Sequence, residues 1–227
     1  MNAGAKAHAF VVDLDAPALE DADRHHLERV LRLRPGDDVT VSDGRGGWRA
    51  CRFGRELEPV TEPSFDPAPT PSLTIGFALV KAEKPEFVVQ KLTELGIDRI
   101  IPFTAARSVV RWDGAKAARA HTRLQAVARE ASMQSRRTWL PTVEPVAAFT
   151  DLVGDAAALC ERGGEAPSLV RTTFLIGPEG GWSPEERALG LPEVALGPNV
   201  LRAETAAVAL GAVLGALRAG IVGRHAE

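Results

Sequence analysis

The chain has 227 residues, 27 Lys and Arg against 30 Asp and Glu, and 45% hydrophobic residues. That is enough apolar material for one large or two small domains, and it excludes wholesale disorder. Two cysteines, Cys51 and Cys160, with no CxxC and no His/Cys cluster, exclude a disulfide framework and point to no metal site. The first ten residues, MNAGAKAHAF, lack the apolar core of a signal peptide. The most apolar stretch, Thr205 to Leu217, is too short to cross a bilayer, so a soluble cytoplasmic protein with no membrane partner is expected.

In chain order, AFVVDL reads as a strand and DRHHLERVLRL as a short helix with Leu27, Val30 and Leu31 at helical spacing. RPGDDVTVSDGRGGWRACRF reads as strand, turn and strand. Five prolines between Glu58 and Ser72 mark a linker or an extended crossing segment. The expected division is therefore a β-rich domain with linker over 1–70 and a second domain over 71–227.

The second part alternates. SLTIGFALV is a strand. KPEFVVQKLTELG is a helix that starts at Pro85, turns Val88, Leu92 and Leu95 inward, and stops at Gly96. DRIIPFTA is a strand. AKAARAHTRLQAVAREASMQS is a helix with Ala120, Leu124, Val127 and Ala131 inward and Lys116, Arg119 and Arg123 on another face. AAALC and TFLIG are strands, SPEERALG a helix with a capping box from Ser183 to Glu186, EVALG a strand, and AETAAVALGAVLGALRAG a last helix. Strands alternating with helices predict an α/β fold with a mostly parallel sheet.

Two stretches repeat one design. FLIGPEGGW (174–182) and VALGPNVLRAETAAV (194–208) each run from a strand through Gly-Pro into an irregular loop and then a helix. Such loops lie where α/β folds bind ligands, beyond the carboxyl ends of strands. Glycines there let a ligand lie against the main chain. Neither a GxxxxGK[ST] nor a GxGxxG is present, which argues against the common nucleotide-phosphate cradles. Charge is also uneven. Arg24 to Arg55 holds eight arginines against four acids, and Arg99 to Arg137 nine cations against two acids. Two basic zones on a slightly acidic chain suggest a polyanion footprint, with solvated surface charge as the other reading.

LIGPEGGWSPEE followed by LGPNVLRAETAAV closely resembles the 16S rRNA (uracil-N3) methyltransferases of the SPOUT class. KAEKPEFVVQKLTELGIDRIIPF and HHLERVLRLRPGDDVTVSDG resemble earlier segments of the same family, so the likeness covers nearly the whole chain. The resemblance implies an N-terminal PUA-like β-barrel that holds RNA and a C-terminal α/β domain with a trefoil knot. It implies a homodimer acting on 16S rRNA of the small ribosomal subunit, with 3-methyluridine at position 1498 as product. It also implies S-adenosylmethionine between two loops. Leu175, Ile176, Gly177, Pro178, Gly180 and Gly181 form one, and Leu196, Gly197, Asn199, Val200, Leu201, Thr205 and Ala206 the other. Many members carry an arginine before the first strand. Here KAHAF offers only Lys6 and His8, leaving Arg24, Arg29 and Arg32 as candidates for the N-terminal RNA contact. Arg107, Arg111, Arg136 and Arg137 are further RNA candidates, with a partner subunit as the other reading for Arg107 and Arg111.

Methyl transfer to uracil N3 from a sulfonium donor needs neither metal nor covalent nucleophile. It needs placement, worth roughly 7–11 kcal/mol in favourable cases, and a proton acceptor, worth about 10²–10⁴-fold. Glu204 is the candidate base, although an acid in a first helical turn also suits the helix dipole. Arg202 is the candidate to hold a phosphate or the uracil oxygen on which charge develops, with a structural salt bridge as the other reading. Trp112 and Trp182 are suited either to stacking on a base or to core packing. Other outcomes in view are a SPOUT enzyme with a different rRNA or tRNA target, and an RNA-binding assembly factor without catalysis.

Overall fold

A computed structural model describes residues 4–80, 84–154 and 156–223. The chain forms two compact units, residues 1–68 with 129–140, and residues 69–128 with 141–227.

The first unit is a five-stranded mixed sheet. Strand β1 (Ala7–Phe10) pairs parallel with β2 (Asp38–Ser42), and β2 pairs antiparallel with β3 (Gly47–Arg52). The proline-rich stretch supplies two edge pieces, β4 (Glu58–Pro59) and β5 (Ser64–Phe65), both antiparallel to β3. It is thus the extended crossing segment rather than a free linker. Val39, Val41, Cys51 and Phe53 fill the core with Leu27 and Leu33.

The predicted helix from Asp23 is altered in its second half. Helix α1 (Asp21–His25) passes into a π turn (His26–Val30) in which the Leu31 amide reaches the His26 carbonyl at 3.1 Å. The extra residue per turn breaks the 3.6 period. Of the three residues expected inside, only Leu27 is buried, while Val30 is 62% and Leu31 48% exposed. Arg32, at φ 56°, then ends the helical run.

The N-terminal cations are committed within this unit. Lys6 pairs with Asp37 at 2.6 Å. His8 is buried between the Thr40 hydroxyl (2.8 Å) and the Arg137 carbonyl (3.2 Å). The carbonyl can only accept, so Nε2 carries the proton and Nδ1 accepts from Thr40. Burial lowers its pKa to about 4, against the pull of the carbonyl and with help from the Arg136 charge. His8 is a neutral core residue.

The second unit is built on a seven-stranded, all-parallel sheet in the order β12-β10-β11-β6-β7-β8, with β9 also on β7. Its strands are β6 (Thr74–Ala78), β7 (Arg99–Thr104), β8 (Thr142–Val143), β9 (Ala147–Ala148), β10 (Ala157–Glu165), β11 (Thr173–Ile176) and β12 (Glu193–Val194). The helices are α2 (Lys84–Glu94), α3 (Gly114–Gln134), α4 (Pro184–Arg187) and α5 (Ala203–Arg218). The last turns of α3 belong to the first unit. Strands covered on both faces read as continuous apolar runs, and β6, the last three residues of β11 and the middle of β7 are buried.

Helix α5 packs on α2 through glycines. A Cβ on Gly211 would stand 2.9 Å from Leu92 Cδ2, and one on Gly215 2.7 Å from the Leu95 carbonyl oxygen. The small residues of α5 therefore serve a contact inside the chain. Arg218 closes the same contact by donating to the Gly96 and Pro71 carbonyls and to Asp98.

Candidate active site

Chain order and sheet order differ where it matters. Strand β10 lies between β11 and β12, with Cys160 level with both Ile176 and Val194. The carboxyl ends of β11 and β12 thus meet the middle of β10, where its regular pairing is interrupted after Cys160. Gly164 lets β12 come close, since a Cβ there would fall 2.4 Å from the Glu193 carbonyl carbon. Between the loops that leave these strands lies a cleft of about 220 Å³.

The first loop is anchored at several points, while Glu179 and Gly180 at its tip are exposed. Gly177 is in contact with the Trp182 indole, where a Cβ would come within 2.8 Å. Trp182, 2% exposed, stacks on Phe103 with planes 3° apart and donates to the Cys160 carbonyl at 3.4 Å. It is a core residue and not a base-stacking platform. The Gly181 amide donates to the Pro178 carbonyl at 2.8 Å, with Gly181 at φ 69°. The Arg107 guanidinium donates to the Gly180 carbonyl at 3.2 Å. The predicted capping box is present. Ser183 Oγ accepts from the Glu186 amide at 3.2 Å, and Glu186 Oε2 accepts from the Ser183 amide at 2.8 Å. The other Glu186 oxygen accepts from the Ala106 amide at 2.8 Å, which ties this loop to the one after β7.

The second loop is open. Gly197, Asn199 and Val200 are exposed, Val200 by 80%. Gly197 sits at φ 126° with nothing within 4 Å of a notional Cβ.

Ten of the thirteen residues expected to hold a cofactor line the cleft: Ile176, Gly177, Pro178 and Gly181 from the first loop, and Leu196, Gly197, Asn199, Val200, Leu201 and Ala206 from the second. The other three do not. Leu175 is fully buried beneath the loop, Gly180 faces Arg107, and Thr205 is exposed on α5. Sequence reasoning missed the middle of β10, where regular pairing breaks after Cys160 and Cys160, Glu161 and Arg162 line the cleft, together with Glu179, Val194 and Ala203. The rule that ligands gather at the carboxyl ends of parallel strands was the available signal. Burial pushes the Cys160 thiol up to about 12, so it is protonated at neutral pH and no nucleophile.

Arg202 is the exposed N-cap residue of α5, next to Ala203 in the cleft wall. Glu204 Oε1 pairs with Lys84 Nζ at 2.7 Å, while Oε2 is buried with no hydrogen-bond partner among the described residues. Burial raises the Glu204 pKa, but the Lys84 hydrogen bond, its own amide and the charges of Lys84 and Arg202 together outweigh it and hold the carboxyl below its ordinary value. It is ionised at neutral pH.

The expected RNA-binding arginines divide into two sets. Arg24 donates to the Gly54 carbonyl at 2.8 Å, Arg136 to the Ala5 carbonyl and Arg137 to the Trp139 carbonyl at 3.1 Å. These guanidiniums are engaged inside the first unit, as Arg107 is on the first loop. Arg29, Arg32 and Arg111 are exposed.

The family model described as an RNA methyltransferase domain matches residues 66–215, and one described as an RNA methyltransferase PUA domain matches residues 19–56. The chain is 37% identical to the ribosomal RNA small subunit methyltransferase E of Mycobacterium bovis, covering 88% of this chain and 87% of that one. It is 31% identical to the Bacillus subtilis protein of the same name, over 80% and 82% of the two chains. Among solved structures, the Neisseria gonorrhoeae methyltransferase E bound to S-adenosylmethionine superposes with a TM-score of 0.77 at 27% identity, covering 93% of this chain and 97% of that one. A Legionella pneumophila methyltransferase with bound cofactor gives 0.77 at 26% identity, over 94% and 97%.

Proposed function

The chain belongs to the ribosomal RNA small subunit methyltransferase E family, and from that premise we propose that it transfers a methyl group from S-adenosylmethionine to N3 of the uridine at position 1498 of 16S rRNA. The observation that carries this reading is the cleft itself. It is built at the carboxyl ends of β11 and β12 and the irregular middle of β10, between two glycine loops, and it lies wholly within the segment matched as an RNA methyltransferase domain.

The cleft fits the cofactor chemically. Ile176, Val194, Leu196, Leu201, Ala203 and Ala206 offer apolar surface to a flat adenosyl group. The loop glycines expose main-chain donors and acceptors for its edge. Glu161 and Glu179 are carboxylates suited to the positive end of the ligand, and Arg162 is the cation for its carboxylate. When bound, S-adenosylmethionine supplies an electrophilic sulfonium methyl. The chain's own residues do the rest. The packed first loop sets position, and placement is the largest contribution available. Glu204 takes the N3 proton. It is ionised, and among the described residues its Oε2 is an acceptor without a donor, a costly arrangement that a substrate N–H would relieve. Arg202 faces the uracil oxygen on which charge grows as the proton leaves. Lys84 keeps Glu204 ionised and oriented. The exposed Arg29, Arg32 and Arg111 hold rRNA phosphates. The working form is a cytoplasmic homodimer, to be checked by light scattering at micromolar concentration, where a monomer mass would contradict it.

The test pairs the purified protein and labelled cofactor with small subunits lacking this modification, followed by digestion and mass spectrometry. Label in 3-methyluridine is expected, and label in another nucleoside would overturn the acceptor. Glu204→Gln should lower kcat by about 10²–10⁴-fold while leaving cofactor affinity within about twofold, because the change touches a proton acceptor and not the cleft wall.

A further inference from the structure

A second cavity, of about 430 Å³, lies within the same unit between the first turn of α2, the loop after β7 and the first turns of α3. Its floor is apolar: Val80, Val110, Ala120 and Leu124, with Trp112 half-buried against the main core. Its rim is basic. Lys116, Arg119 and Arg123 are spaced three and four apart on α3, so they share an arc of about 60°. All three are exposed, and among the described residues neither Lys116 nor Arg119 is in an ion pair. Arg123 Nε is held by Glu86 Oε1 at 2.8 Å. Glu86 Oε2 is buried and has no hydrogen-bond partner among the described residues. Among the described residues the other acid nearby, Asp113, accepts from the Lys116 amide at 2.7 Å and does not line the cavity.

A solvated basic helix face would be convex and would lack an aromatic floor. Here the cations rim a hollow within the ~300–1,000 Å³ range of ligand sites. A positive rim over an aromatic floor is how single-stranded nucleic acid is held, base on the ring and backbone on the charges. The geometry points to this cavity as a subsite for one unpaired nucleotide of the RNA substrate. Its base lies over Trp112, its phosphate meets Lys116 and Arg119, and its 2′-hydroxyl donates to Glu86 Oε2. The inference rests on the methyltransferase reading, and α2 links the two sites. Lys84 reaches Glu204 beside the first cleft, and Glu86, two residues on, lines the second cavity.

The probe is the small subunit lacking the modification, titrated at several salt concentrations against the full-length wild type and a Lys116→Ala/Arg119→Ala variant. The variant should bind at least about tenfold more weakly, and the slope of log affinity against log salt should shrink by about 1.5. Arg119→Lys should restore part of the affinity. Trp112→Leu should weaken binding roughly tenfold with the salt slope unchanged, since it removes stacking and no charge. Calorimetry with S-adenosylmethionine on each variant checks that the first cleft is intact. Wild-type affinity and slope in the double variant would overturn the subsite while leaving the methyltransferase reading in place. A changed oligomer mass in that variant would reassign the cavity to a subunit contact. A wild type that binds no subunits would remove both.

Discussion

The two glycine loops look alike in sequence and are built differently. Gly177 to Trp182 is anchored at several points around an exposed tip at Glu179 and Gly180: an indole against Gly177, a guanidinium on the Gly180 carbonyl and a buried glutamate, Glu186, bonded to two amides in a capping box with Ser183. Gly197 to Val200 is open to solvent between Leu196 and Leu201, which rest half-buried on the main core, and Gly197 is in a conformation few other residues adopt. One wall of the cleft is therefore formed before any ligand arrives, and the other has few partners until one does. Such an asymmetry suits a cofactor that must enter and leave while being held accurately on one side. The same glycine thus means two things. At Gly177 it removes a clash with a neighbour, and at Gly197 it permits a backbone angle.

Trp182→Ala should have the largest effect, costing about 3–5 kcal/mol of stability in denaturant unfolding and abolishing cofactor binding. A loss below about 1 kcal/mol would mean that the first loop is not part of the core. Gly177→Ala should cost about 1–3 kcal/mol by overpacking against the same indole, with cofactor affinity falling in parallel in calorimetry. Glu186→Ala removes the reciprocal half of the capping box and the bond to Ala106 while leaving the Ser183 cap, for about 0.5–2 kcal/mol, seen as a lower melting temperature. The second loop should behave in the opposite way. Gly197→Ala should weaken cofactor binding about tenfold through strain of roughly 1–3 kcal/mol, with thermal stability of the free protein close to wild type because the open loop can relax. If it lowers stability as much as Gly177→Ala, the loops do not differ. The smallest effect belongs to Val200→Ala, within about 0.5 kcal/mol for stability and a few-fold for the cofactor. Hydrogen exchange sharpens the contrast without mutation. Amides of Gly181 and Ser183, bonded to the Pro178 carbonyl and to Glu186, should be protected in the free protein, and those of Asn199 and Val200 only once the cofactor is bound.

Much was legible from the chain because it is written locally. The stop at Gly96, the cap at Ser183, the inward face of α2 and the two strand-to-loop transitions depend on a few consecutive residues and on the periods of helix and strand. Motifs read this way also carried the family. The π turn after His25 was not legible. Nothing in HHLERV distinguishes one extra residue per turn from a regular helix, and the turn moves Val30 and Leu31 outward.

Spacing determined most of the elements and the two glycine loops, and it nominated Glu204 and Arg202 as candidate base and cation. Only the tertiary structure decided which strand ends meet. That β10 lies between β11 and β12, and so brings Cys160, Glu161 and Arg162 to the cleft, depends on hydrogen bonds between segments far apart in the chain. It also decided which charges are free. Arg24, Arg107, Arg136 and Arg137 look like RNA contacts in one dimension, but each has a backbone carbonyl within reach in three. A guanidinium takes whichever acceptors the fold puts beside it, and composition carries no record of that.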